Sequence, residues 1–239
     1  MKKIFLSILA LSLFSCDVEQ LDSSISTGDN GNGSNPTSGD YFPMALNNTW
    51  AYNEGTANSE MKITGTATFN NKSYFKIENS SFLPDATNPE ANYQYIRKEN
   101  SKYYTYNEGS VIILDNIPAN FKLSEDIIIL NDALPVSGNW TQNIMVIGSY
   151  TYDNQTITMN LPLKVEGKIL QKITTFSING TNYTDVIKVE LKTTVGVGVD
   201  LETSIGEIYF AKNIGVIKSN SIDEDGNSIT SNLISYSLN

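Results

Sequence analysis

The chain has 239 residues, of which 26 are acidic, 16 basic, none histidine and one cysteine, for a net charge of −10 at pH 7. A charge of that sign, with no stripe of Lys and Arg, excludes a nucleic-acid partner, whose phosphates call for clustered cations. The missing histidine removes Ser-His-Asp and Cys-His catalysis, histidine-ligated zinc and the usual near-neutral general base.

Lys2 and Lys3 precede an apolar run from Ile4 to Phe14 that ends at Ser15 and Cys16, the charged, apolar and small-residue order of a secretory signal. The run is about half of the roughly 20 apolar residues needed to span a bilayer, so residues 1–15 are expected to be a cleaved signal peptide. Leu13-Phe14-Ser15-Cys16 resembles the lipobox of bacterial lipoproteins. That resemblance implies a diacylglyceryl group on the Cys16 thiol, cleavage just before it, and membrane attachment through acyl chains such as palmitate. The alternative is an ordinary secretory signal with an incidental cysteine. Several acyl chains on one residue anchor stably where a single chain does not. With its only cysteine lipidated, the body has no internal disulfide and depends on a packed core.

Asp17 and Glu19 resemble the acidic export signals of Bacteroidetes surface lipoproteins, whereas an Asp after the cysteine retains lipoproteins in the inner membrane of some other bacteria. The location expected is the cell envelope, at the outer membrane, on its surface or periplasmic face. Residues 16–40 carry the lipid site and a linker rich in Ser, Gly, Asn and Asp, with almost nothing apolar to bury. Such a tether holds the body about 25–30 Å from its anchor. Loss of Lys2 and Lys3 with the leader takes the net charge from −10 to −12.

Residues 41–239 read as one all-β domain, a curved antiparallel meander that is half-barrel or sandwich-like. Asn179-Gly180, between Ile173–Ile178 and the alternating Ile187, Val189 and Leu191, predicts a two-residue type I′ hairpin, whose central residues both need positive φ. Asn70-Asn71, Glu99-Asn100, Asp153-Asn154 and Asp225-Gly226 are weaker signals of the same kind. Pro84, Pro89, Pro118, Pro135 and Pro162 belong in connections or at strand edges, because proline donates no ladder hydrogen bond. Val195-Gly196-Val197-Gly198-Val199 reads as a strand with close backbone approach. Trp50, Asn70-Asn71 and Tyr95-Ile96-Arg97-Lys98 recur in order as Trp140, Asn179-Gly180 and Tyr209-Phe210-Ala211-Lys212, which raises two pseudo-repeated halves.

Tyr41-Phe42-Pro43, Asn47-Asn48-Thr49-Trp50-Ala51-Tyr52 and the stretch from Tyr209 to Lys218 resemble segments of uncharacterised Bacteroidetes lipoproteins. Those are similar in general plan to periplasmic lipoprotein-carrier half-barrels, in which a curved sheet wraps an apolar interior. The resemblance implies an apolar interior here too, although the carriers' helical lid has no counterpart in this sequence.

No cofactor motif is present, and no P-loop, G-x-S-x-G elbow or Cys pair. Asp223-Glu224-Asp225-Gly226-Asn227 clusters oxygen ligands, but an EF-hand register starting at Asp223 places Ile234 where the bidentate Glu belongs, so it reads as an acidic turn. The expectation is a non-enzymatic binding module, with no metal, for a glycan, a peptide or an apolar ligand. The alternative is a structural or assembly partner of other envelope proteins. The candidate ligand-binding residues are Tyr93, Tyr95, Tyr104 and Tyr106, which flank the Glu99-Asn100 turn and offer apolar rings with polar tips. Tyrosine also favours strands for its packing alone. A concave apolar pocket separates binding from assembly, which a flat patch would serve.

Overall fold

The computed structural model describes residues 39–55, 58–79, 93–113, 117–198, 200–222 and 228–239. Cys16, the leader and linker to residue 38, Pro84, Pro89 and the Asp223–Asn227 segment lie outside them. The described residues form thirteen strands and no helix: β1 (Thr49–Asn53), β2 (Asn58–Phe69), β3 (Lys72–Asn79), β4 (Tyr93–Glu99), β5 (Lys102–Ile113), β6 (Ile117–Leu123), β7 (Ile127–Asn131), β8 (Asn139–Tyr152), β9 (Gln155–Ile178), β10 (Thr181–Val197), β11 (Asp200–Ala211), β12 (Gly215–Ile222) and β13 (Ser228–Ser237).

Twelve of them pair in chain order as an antiparallel meander, and the ring closes where β1 meets β13 and β4 meets β5. The expected curvature thus runs to completion, and the half-barrel becomes a closed barrel. Closure removes the free edges on which other chains could template. The thirteenth strand, β7, continues from β6 along the same neighbour: β6 pairs with Glu108–Ile113 of β5, and β7 with Lys102–Thr105. Side chains of β8 meet the backbone that β7 turns away from the ladder. Ile128 N–H donates to Gln142 Oε1 (2.7 Å), Gln142 Nε2 donates to the Asp126 carbonyl (3.1 Å), and Trp140 Nε1 donates to the Ile128 carbonyl (3.0 Å).

Asparagine fixes the hairpins. Asn179 (φ 50°) and Gly180 (φ 82°) join β9 to β10, and the Asn70-Asn71 and Asp153-Asn154 pairs turn in the same left-handed region. The turn after β4 falls one residue later than read, with Asn100 at φ 55° and Glu99 paired to Lys102. Gly198 (φ 66°) lies in the β10–β11 turn, with open space where a Cβ would be; the strand reading of that glycine run stops at Val197. Pro118 and Pro162 lie within strands rather than in connections, paired with Ile112 of β5 and Met145 of β8, but each is unpaired on its other side, where β6 meets β8 only from Ala119 and β9 meets β10 only from Leu163. Trp50 and Trp140 are the second residues of β1 and β8, and the two asparagine turns follow β2 and β9, so the repeat markers keep their order on strands of very different length.

Residues 40–50 plug one end of the barrel. Phe42 packs on Trp50 with ring centroids 5.1 Å apart, and both are buried. Trp50 Nε1 donates to the Ile214 carbonyl, and its ring lies so near Gly215 that a Cβ there would come within 3.0 Å. Asn213 N–H donates to the Asp40 carbonyl while Asp40 N–H donates to Asn213 Oδ1. Asp40 is thus already tied to the barrel at the linker's last residue. The two sequence segments that carried the resemblance meet in this plug, although more than 150 residues separate them.

Candidate ligand cavity

Above the plug the barrel interior is not filled. The space is lined by Tyr52 of β1, Ser59 and Met61 of β2, Ile77 of β3, Gln94 and Ile96 of β4, Ile129 of β7, Leu191 of β10, Ile208 and Phe210 of β11, Val216 and Ser219 of β12, and Ser231 of β13, with Phe42 and Glu54. Walls from β1–β4 and from β10–β13 face each other across it, so it is the interior of the barrel. Its volume is about 80 Å³, on a scale where one buried water needs roughly 10–15 Å³.

The lining is graded. Phe42, Ile129, Phe210 and Val216 lie toward the plug, and Met61, Ile77, Ile96, Leu191 and Ile208 continue the apolar wall. The polar side chains gather at the other end. Glu54 follows the last residue of β1, Ser59 stands opposite Tyr52, and Ser231 pairs with Ser219, which pairs with Ile208. Ser59 and Ser231 both donate to Glu54 Oε1, at 3.1 and 2.8 Å. Among the described residues no hydrogen bond reaches Oε2 and no Lys or Arg pairs with the carboxylate. Burial raises the Glu54 pKa above its ordinary value, and the two serine hydrogen bonds only partly offset that. Tyr52 directs its hydroxyl into the wall, donating to the Val216 carbonyl at 2.9 Å; burial, then Tyr183, raises its pKa.

Among the described residues no three His, Cys, Asp or Glu side chains gather in a way that could hold a metal.

The tyrosines singled out from the sequence sit on the opposite face of the same strands. Tyr95 pairs with Tyr106 and Arg97 with Tyr104, whereas the cavity-lining Gln94 and Ile96 alternate with them. Tyr95 and Tyr106 are buried, both packed on Phe69 at 4.7 and 5.1 Å between centroids. Burial, with Glu108 and Tyr74 nearby, pushes the Tyr106 pKa up to about 12. Tyr104 is half-buried, with the Arg97 guanidinium 3.9 Å above its ring. Arg97 Nε donates to Asp126 at 2.6 Å, and Lys72 and Tyr74 bond the same carboxylate. The side chain of Tyr93 lies outside the described residues. The cavity residues went unnoticed in the sequence because Asn53-Glu54-Gly55 reads as a polar turn and the serines read as strand surface. The only local signal was alternation that placed them on the inward face.

No protein-family model matches the chain, and no curated protein matches its sequence. Two crystal structures are similar in fold. One is an exported protein with a YmcC-like fold from Bacteroides fragilis, described as putative: it has a TM-score of 0.51 and 9% identity, over 84% of this chain and 100% of that one. The other is a putative lipoprotein from Parabacteroides distasonis, with a TM-score of 0.45 and 8% identity over the same shares.

Proposed function

We propose that the chain is a cell-envelope lipoprotein, anchored through lipid on Cys16 at the outer membrane, whose barrel binds a small apolar ligand without acting on it chemically. The observation that carries this reading is the cavity: an apolar interior left open above a plugged floor, with its polar groups confined to one end. A fold of this size gains by filling its core, and interiors are close-packed in general, so a space walled by Ile, Leu, Phe and Met supports occupancy by an apolar molecule. The leader supports the envelope location, since a single cysteine stands where the signal ends. Tyr95 and Tyr106 are engaged in packing, which favours the interior over the tyrosine face as the binding surface.

Two measurements test the proposal. Mass spectrometry of material from the native envelope should show acyl chains on Cys16 together with a co-purifying apolar molecule, and Cys16→Ser should release the chain from the membrane fraction. The chain should also take up N-phenyl-1-naphthylamine, and Met61→Trp, which fills the cavity, should abolish that uptake while the circular dichroism of the barrel is unchanged. Equal uptake by the Met61→Trp chain would exclude the interior as the site.

A further inference from the structure

We infer that the ligand of this cavity is an amphiphile whose head group donates hydrogen bonds to Glu54, with a protonated primary amine as the best match. The inference rests on the apolar-ligand reading above and specifies the ligand's polar end. Four observations carry it.

Glu54 lines the cavity together with the apolar wall, so a ligand seated on that wall brings one end to the carboxylate. Both serine hydroxyls bond the same oxygen, Oε1, which orients the carboxylate and leaves Oε2 without a partner among the described residues. The other polar lining groups, Ser59, Gln94, Ser219 and Ser231, are neutral, so nothing in the lining offers a cation to an anionic head. The chain's net charge of −10, or −12 without its leader, repels anions and attracts cations at longer range.

A half-buried carboxylate is most stable when a charged donor meets it, and hydrogen bonds to charged groups are stronger than neutral ones. An ammonium head supplies both the charge and the donors, a hydroxyl supplies a donor only, and a carboxylate head supplies neither. The burial that raises the Glu54 pKa is the same desolvation that such a head would relieve.

The test uses the full chain as its Cys16→Ser variant, so that its own acyl chains do not compete. Dodecylamine, dodecan-1-ol and dodecanoate, each below its micelle-forming concentration at pH 7.4, displace bound N-phenyl-1-naphthylamine. Dodecylamine should bind roughly tenfold or more tighter than dodecan-1-ol, and dodecanoate weakest. Glu54→Gln is close to isosteric, and it should bring the amine to the level of the alcohol and improve binding of dodecanoate. The head-group series on the unsubstituted cavity keeps the inference testable if the Glu54→Gln chain folds poorly. Equal affinity for the three heads, a preference for dodecanoate, or an amine preference unchanged by Glu54→Gln would each overturn it while leaving the apolar-ligand reading in place. If the probe is not taken up at all, both fall together.

Discussion

The two ends of the barrel interior treat polar groups in opposite ways. At the plugged end Asn48 donates to the Pro43 carbonyl and accepts from Asn239, Trp50 donates to Ile214, and Asp40 accepts from Tyr103 and from Phe42 N–H. At the open end Glu54 has two serines on one oxygen and, among the described residues, nothing on the other. The first arrangement meets its polar groups within the protein and secures the fold, whereas the half-buried Glu54 leaves one oxygen for water or a ligand to complete. The contrast separates the part of the interior built for stability from the part able to bind, and substitutions at each end should respond accordingly.

The largest effect is expected at the plug. Trp50 is fully buried, packed on Phe42 and bonded to Ile214. Trp50→Ala removes that packing and orphans a carbonyl, which should destabilise the barrel by about 3–5 kcal/mol in urea denaturation. A loss below about 1 kcal/mol would mean that the plug is not part of the cooperative core.

Asp126 is the charged counterpart of the plug on the outer face, where Arg97 and Lys72 meet it under the tyrosine rings. Removing it leaves a nearly buried guanidinium without its strongest partner, so Asp126→Ala should cost about 3 kcal/mol. Burial alone would raise the Asp126 pKa, but the hydrogen bonds and charges of Arg97 and Lys72 outweigh it and hold the pKa below the ordinary 3.8. Because the folded value is depressed, this stabilisation is complete above the unfolded value and is lost as pH falls through the folded one. The acid limb of the wild-type stability curve below about pH 4 should therefore flatten in Asp126→Ala. An unchanged limb would remove the ion pair as a source of acid sensitivity.

The fold was legible in the sequence wherever backbone chemistry is local. Positive φ at Asn70, Asn71, Asn179 and Gly180 follows from residue type alone, and strand alternation around Ile187, Val189 and Leu191 gave the inward face. Closure was not legible, because pairing β1 with β13 joins residues nearly 190 positions apart and no local signal reports it. The tyrosine cluster was seen, but which of its rings are buried was not legible: the strands that bury Tyr95 and Tyr106 against Phe69 are brought together by register, which composition does not encode. Glu54 was passed over for the converse reason, since its surroundings come from β2 and β13 and its neighbours in sequence describe only a turn. The Asn179-Gly180 hairpin, being local, should give a local effect. Gly180 has φ 82°, so Gly180→Val should cost about 1 kcal/mol, and a stability equal to wild type would show that the turn tolerates a β-branched residue there.

The smallest effect, and the one that bears most directly on the open end, is the pH dependence of Glu54. Its pKa is raised by burial, against the opposing serine hydrogen bonds, so the folded chain holds that proton more tightly than the unfolded chain does. The contribution to stability is then fully present below the unfolded value of 4.5 and is lost as pH rises through the folded value, opposite in sign to that of Asp126. Both groups titrate in acid, so a single stability curve cannot separate them. The difference between wild type and Glu54→Gln can, because every other carboxylate cancels. As pH is lowered from 7 toward 4, wild type should gain stability relative to Glu54→Gln. An added alkylamine should reduce or reverse that gain, because it binds the ionised carboxylate and stabilises the folded chain at the higher pH. A wild-type advantage that instead shrinks on acidification would mean that Glu54 is already stabilised as an anion in the free protein, and the open end would then be as complete as the plug.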